Sequence, residues 1–169
     1  MITIGLIDDH ELFRSSLKMF INTIGRYSVV LDEDNGMDFF KKLDGLSTPL
    51  DLLITDYQMP VLDGKEVIKM VSQKYPATKI VILSLFKHDH LINETLQAGA
   101  SGFLTKGIKS SDLKLALEEI LLGNTVVYNN SIQVITKSTT AKTLDNKVNN
   151  SVVGLSKRQL VSCQFDNVC

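Results

Sequence analysis

Five times between residues 1 and 123, a short apolar run gives way to a longer segment whose apolar residues recur at helical spacing. Met1 to Ile7 is apolar apart from Thr3 and Gly5, and stops at Asp8-Asp9. Leu12, Phe13, Leu17, Phe20, Ile21 and Ile24 follow on one helical face before Gly25. Ser28 to Leu31 is a second run; Asp34-Asn35-Gly36 then opens a helix carrying Phe39, Phe40 and Leu43. Leu52-Leu53-Ile54-Thr55-Asp56 is the third run, cut off by Pro60, and Gly64 to Tyr75 places Val67, Ile68 and Val71 on one face before Pro76. Lys79 to Ser84 is the fourth run, with a short helix from Leu91 to Ala98; Gly102 to Lys106 is the fifth, with a helix capped by Ser110 or Ser111 and closed by Gly123. Strands that are apolar without alternation are buried on both faces, and their regular alternation with helices predicts an α/β fold with a parallel sheet between helical layers.

From Asn124 the pattern weakens. Residues 124–153, rich in Lys, Thr, Ser and Asn from Thr136 onward, read as a linker. Gly154-Leu155-Ser156-Lys157-Arg158-Gln159-Leu160 looks like a capped helix start, and residues 154–169 are too short to build a second core. Residues 1–123 carry 13 basic and 17 acidic side chains, against 5 and 2 in residues 124–169. The acidic excess fits a cation site; the basic tail is too weak to argue nucleic acid. Cys163 and Cys169 have no partners at ligand spacing, so neither a zinc site nor a disulfide scaffold is expected. Asp8, Asp9 and Glu11 interrupt the opening apolar segment, and no run approaches the ~18 residues of a membrane span. The expectation is a cytoplasmic protein with no membrane partner.

Four of the five runs end in a residue with coordinating or reactive chemistry: Asp8-Asp9, Asp56, Ser84 and Lys106. In a parallel sheet those ends share one edge, where open α/β sheets bind ligands. Singly, each has an ordinary explanation. Asp9 could cap the helix starting at His10, Ser84 could be a plain strand-end residue, and Lys106 a surface lysine. Jointly they form a site: carboxylates that need a hard divalent cation, a nucleophilic Asp56, and an ammonium and a hydroxyl to stabilise charge on a transferring phosphoryl group. His10 reads as a helix-start residue beside that acidic pocket, and His88-Asp89-His90 as surface residues.

Asp8-Asp9, Asp56 with Met59-Pro60 and Gly64, Ser84, and Gly102-Phe103-Leu104-Thr105-Lys106 resemble the receiver domain of two-component response regulators. Ile7 to Arg14 and the tail from Leu155-Ser156 resemble the NarL/FixJ class. The resemblance covers residues 1–123. It implies a flavodoxin-like, doubly wound, five-stranded parallel sheet of order 2-1-3-4-5 with helices on both faces. It further implies Mg²⁺-dependent phosphorylation of Asp56 by a sensor histidine kinase. Asp8, Asp9, Asp56 and the main-chain carbonyl of Gln58 would hold the Mg²⁺, Ser84 would contact the phosphoryl group and Lys106 would pair with it. Phe103 would be the switch aromatic that turns inward, altering a surface that controls homodimerisation and output. Such a domain is a signalling module rather than an enzyme, although it catalyses phosphoryl transfer to itself and slow autodephosphorylation.

Two departures stand out. Gly107 replaces the usual proline, and Phe103 lacks the hydroxyl of the commoner tyrosine. The parent class regulates transcription through a LuxR-type helix-turn-helix domain, but Gly154 to Leu160 resembles only its opening. Without a recognition helix, no sequence-specific DNA binding is expected of this chain. An aspartate-nucleophile phosphatase would need an acid where Gln58 stands. A flavodoxin would need a phosphate loop in place of Asp8-Asp9-His10. A dimerisation module independent of phosphorylation would not need the acidic site.

Overall fold

The computed structural model describes residues 1–135, and within them each of the five expected strand–helix pairs forms. In order these are β1 (Ile2–Ile7), α1 (Glu11–Thr23), β2 (Tyr27–Glu33), α2 (Gly36–Leu43), β3 (Leu52–Asp56), α3 (Gly64–Lys74), β4 (Lys79–Ser84), α4 (Asp89–Gln97), β5 (Gly102–Thr105) and α5 (Ser110–Leu121). Two further strands follow, β6 (Thr125–Tyr128) and β7 (Ile132–Ile135).

The sheet lies between two apolar layers, and single strands divide their side chains between them as the pleat requires. Leu52 and Ile54 of β3 face one layer with Leu17 and Ile21 of α1 and Leu113, Ala116, Leu117 and Ile120 of α5. Leu53 faces the other, with Phe39 of α2, Val67, Ile68 and Val71 of α3, and Ile92 of α4. β4 behaves alike, sending Val81 and Leu83 one way and Ile80 and Ile82 the other. Gly5 is where α2 closes on the sheet. A Cβ there would stand 2.6 Å from Phe39 Cζ and 2.6 Å from Leu50 Cδ1, so a larger residue would force the helix outward.

The five expected strands lie in the order 2-1-3-4-5, but the expected five-stranded sheet is corrected to seven. Seven strands run β2-β1-β3-β4-β5-β6-β7, with β6 parallel to β5 and β7 antiparallel to β6. The additional pair comes from residues assigned to a linker. Val126, Val127 and Tyr128 are buried against β5, and a three-residue turn, Asn129-Asn130-Ser131, reverses the chain. Asn130 takes φ +69° there, a conformation asparagine tolerates and three-residue hairpin loops use. The rest of the expected linker and the helix-turn-helix remnant at 154–169 lie outside the described residues. No helix among the described residues is long and apolar enough to cross a membrane.

Candidate functional site

Parallel pairing sets the carboxyl ends of β1, β3, β4 and β5 side by side. Asp56 is the last residue of β3, a strand with every residue buried, and is itself 4% exposed. Asp8 follows β1, fixed by its amide donating to the Glu33 carbonyl of β2 at 3.2 Å. Lys106 follows β5 and is tied to β4 through its amide, which donates to the Ser84 carbonyl at 2.8 Å. From there its side chain reaches across the strand ends. Nζ donates to Asp56 Oδ2 at 2.7 Å and to Asp8 Oδ1 at 3.0 Å, and packs 4.9 Å from the centre of the Phe13 ring.

Burial pushes the Asp56 carboxyl above its ordinary pKa; the hydrogen bond and charge of Lys106 oppose this without cancelling it, and the Asp8 charge adds to it. For Lys106 burial acts against the ammonium, but bonds and charges from Asp56 and Asp8 together outweigh it and leave the pKa raised. The two acids therefore sit against an ammonium that stays charged through the neutral range, and all three side chains are buried.

Asp9 does not cap α1. The N-cap is His10, no side chain caps that helix end, and the His10 amide instead donates to Asp8 Oδ1 at 2.9 Å. Asp9 is thus available to the pocket, and one oxygen or nitrogen from each of Asp8, Asp9, His10 and Asp56 lies within 4.8 Å of the others. Asp8 Oδ2 is enclosed and lies 2.8 Å from Lys106 Nζ, so the ammonium spans both oxygens of that carboxylate. Three carboxylates at this spacing suit a hard divalent cation.

The remaining expected residues differ in how far they enter. The Gln58 amide donates to Asp56 Oδ1 at 3.3 Å, which brings that main chain to the acceptor carboxylate. Ser84 is buried, but its Oγ accepts the Phe86 amide at 3.1 Å and so belongs to its own loop. Phe103 is fully buried in the layer with α2, α3 and α4. The Lys106–Gly107 bond is trans, and a side chain at Gly107 would meet nothing within 4 Å, so the loop is open where a proline was expected. Sequence reading undervalued α1. His10 Nδ1 lies 3.0 Å from Asp9 Oδ1, Phe13 backs Lys106, and Arg14 Nη1 donates to the Asp8 carbonyl. The signal was their spacing: positions two, five and six after Asp8 lie on the first turn of a helix that starts in the pocket.

Residues 4–118 match the response regulator receiver domain family. The transcriptional regulatory protein YdfI of Bacillus subtilis is 32% identical over 122 residues, which are 72% of this chain and 56% of that protein. The nitrate/nitrite response regulator protein NarL of Escherichia coli is 31% identical over 125 residues, 74% of this chain and 57% of its own. The chain thus spans little more than half the length of these relatives. A two-component response regulator of the LuxR family from Aurantimonas superposes with a TM-score of 0.66 at 28% identity, covering 72% of this chain and 85% of its own.

Proposed function

The chain belongs to the response regulator receiver family, and from that membership we propose that it is a phosphorylation-controlled switch whose acceptor is Asp56. Receiver domains take their phosphoryl group from histidine kinases. The observation that carries the reading is the placement of Lys106 Nζ, 2.7 Å from Asp56 Oδ2, among Asp8 and Asp9 at one edge of the sheet.

In the proposed transfer an Asp56 carboxylate oxygen attacks phosphorus on the kinase histidine. A P–O bond forms, the P–N bond breaks, and the departing imidazole keeps its electron pair and takes up a proton. Burial leaves Asp56 poorly solvated, so little water must be stripped from the nucleophile before it reacts. Lys106 pairs with the acceptor before transfer and is placed to hold a phosphoryl oxygen after it. Asp8, Asp9, Asp56 and the main-chain carbonyl of Gln58 would hold Mg²⁺, which when bound neutralises charge on the transferring oxygens. Ser84 leaves its bond to Phe86 to reach the phosphoryl group, and that release alters the loop leading into α4. The output is a change in that surface, expressed as homodimerisation or partner binding. The chain acts as a signalling module that transfers phosphate to itself and slowly loses it.

Incubation with Mg²⁺ and acetyl phosphate gives an acid-stable, base-labile phosphoprotein, and Asp56→Asn gives none. Equal labelling of the two proteins overturns the assignment.

A further inference from the structure

Both main-chain polar groups of Asp8 are fastened. Its amide donates to the Glu33 carbonyl of β2, and its carbonyl accepts from Arg14 Nη1. Arg14 lies near the start of α1, where a helical side chain leans back over the residues before the helix. Its side chain is 15% exposed, and Asp32 Oδ2 of β2 stands 3.9 Å from its Nε. That is an ionic contact without a hydrogen bond, and Nε is enclosed with none. Asp32 has a nearer partner in Lys18, at 2.5 Å. Arg14 is therefore not needed to neutralise Asp32, and its one side-chain hydrogen bond among the described residues goes to the Asp8 carbonyl. Buried donors are nearly always bonded, and the exceptions gather where function sets the geometry.

We propose that Arg14 is a positioning residue: it fixes the plane of the Asp8–Asp9 peptide and, through that plane, the direction of the Asp9 carboxylate. The Asp8 carbonyl and the Asp9 amide belong to one rigid unit, so a guanidinium that holds the first sets how the chain enters Asp9. Asp9 needs this more than the other acids do. Lys106 holds the carboxylates of Asp8 and Asp56 directly, at 3.0 and 2.7 Å. Asp9 is 33% exposed at its side chain, and its contact among the described residues is the His10 ring, 3.0 Å away. The proposal rests on the cation site proposed above and adds to it a residue that touches no ion. Groups one step behind metal ligands change affinity by about 10–100-fold when removed. The acceptor and its ammonium do not depend on Arg14, so its loss weakens metal binding and spares transfer once metal is saturating.

The test uses the full chain and two readouts. Electron paramagnetic resonance of free Mn²⁺ gives the affinity. Labelling by acetyl phosphate across a Mg²⁺ series gives the half-saturating concentration and the rate at saturation. Arg14→Gln is expected to weaken Mn²⁺ binding and raise the Mg²⁺ half-saturation by about tenfold, with the saturated rate within about twofold of wild type. Lys18→Ala, which removes the nearer partner of Asp32 from the same helix, is expected to leave both metal constants unchanged. Wild-type metal constants in a folded Arg14→Gln overturn the proposal. An equal rise in Lys18→Ala does so too, because the site would then feel only the contact between α1 and β2. A saturated rate that falls as far as the affinity marks a general loss of structure and also overturns it. If Arg14→Gln does not fold, Arg14→Lys decides. Lysine keeps the charge and the stem but replaces the planar fork with a point donor, so a rise of about threefold is expected and wild-type constants overturn the proposal. Mn²⁺ that binds Asp9→Asn as tightly as wild type overturns the cation site itself, and the role of Arg14 with it.

Discussion

At the scale of single residues, the site sets a carboxylate that burial disfavours against an ammonium that its neighbours favour. The folded pKa of Asp56 lies above its unfolded value, chiefly through burial, so the folded state holds that proton more tightly than the unfolded chain does. Ionised Asp56 is therefore a burden on the fold near neutral pH, and the burden lifts as pH falls through the raised pKa. Lys106 works the other way. Its pKa is raised by Asp56 and Asp8, so its contribution is present near neutral pH and is lost only as pH climbs past the ordinary lysine range. Asparagine at position 56 removes the desolvated charge while Lys106 keeps Asp8, 2.8 Å away, as its counter-ion. Asp56→Asn is expected to be more stable than wild type near neutral pH, because the charge that burial penalises is gone while Lys106 keeps a counter-ion. The margin shrinks on acidification, when wild-type Asp56 takes up its proton. Urea unfolding across the acid-to-neutral range checks this, and a margin that widens toward acid pH contradicts it.

At the scale of elements, the join between β3 and α3 does the most to place the acceptor. Asp63 caps α3 by accepting the Glu66 amide at 2.9 Å, and the Asp63 amide in turn donates to Glu66 Oε2 at 3.2 Å. Next to it Gly64 lets the helix start press against the strand end. A Cβ there would lie 2.7 Å from Tyr57 Cα and 2.9 Å from the Asp56 carbonyl oxygen. The chain reaches this seat through Val61, whose φ of +71° is a strained value for a β-branched residue. Two substitutions separate holding the helix from placing the acceptor. Asp63→Ala loses the cap and about 1 kcal/mol of stability, with labelling by acetyl phosphate little changed. Gly64→Ala pushes on the Asp56 and Tyr57 backbone and slows labelling by about tenfold or more, because small displacements of reacting groups are costly. Comparing melting and labelling rates for the pair checks both halves. The break at Pro60 and the helix start at Gly64 were legible in the sequence, but not the contact behind the glycine, which is set by how deeply α3 packs.

At the scale of the whole molecule, what the sequence made legible was what repeats. Five apolar runs and their helices carry period and punctuation, and the reactive residues fall at run ends where parallel pairing must gather them. His10, Phe13 and Arg14 showed only a spacing after Asp8, and their roles at the site depend on which way the first turn of α1 faces. The β6–β7 hairpin was hidden for another reason. Thr125 to Tyr128 and Ile132 to Ile135 are four residues each, too short to show periodicity, and the polar Asn129-Asn130-Ser131 turn between them resembles the tract that follows. Its consequence for the fold is large. β6 covers what would otherwise be the open edge of β5, and Val126, Val127 and Tyr128 are each at most 6% exposed. Gly102 fits that approach closely, since a Cβ on it would stand 3.2 Å from the Val126 carbonyl oxygen. The turn also meets the loop after Ser84, where Lys87 Nζ donates to Asn130 Oδ1 at 2.8 Å. A chain ending after Gly123 is therefore expected to be less stable than one ending after Ile135, because the apolar face that Val126, Val127 and Tyr128 cover is exposed, and to associate through its uncovered β5 edge. Urea melts at several protein concentrations check this. Equal stability of the two chains would mean that the receiver fold ends with α5 and that the hairpin rests on it without supporting it.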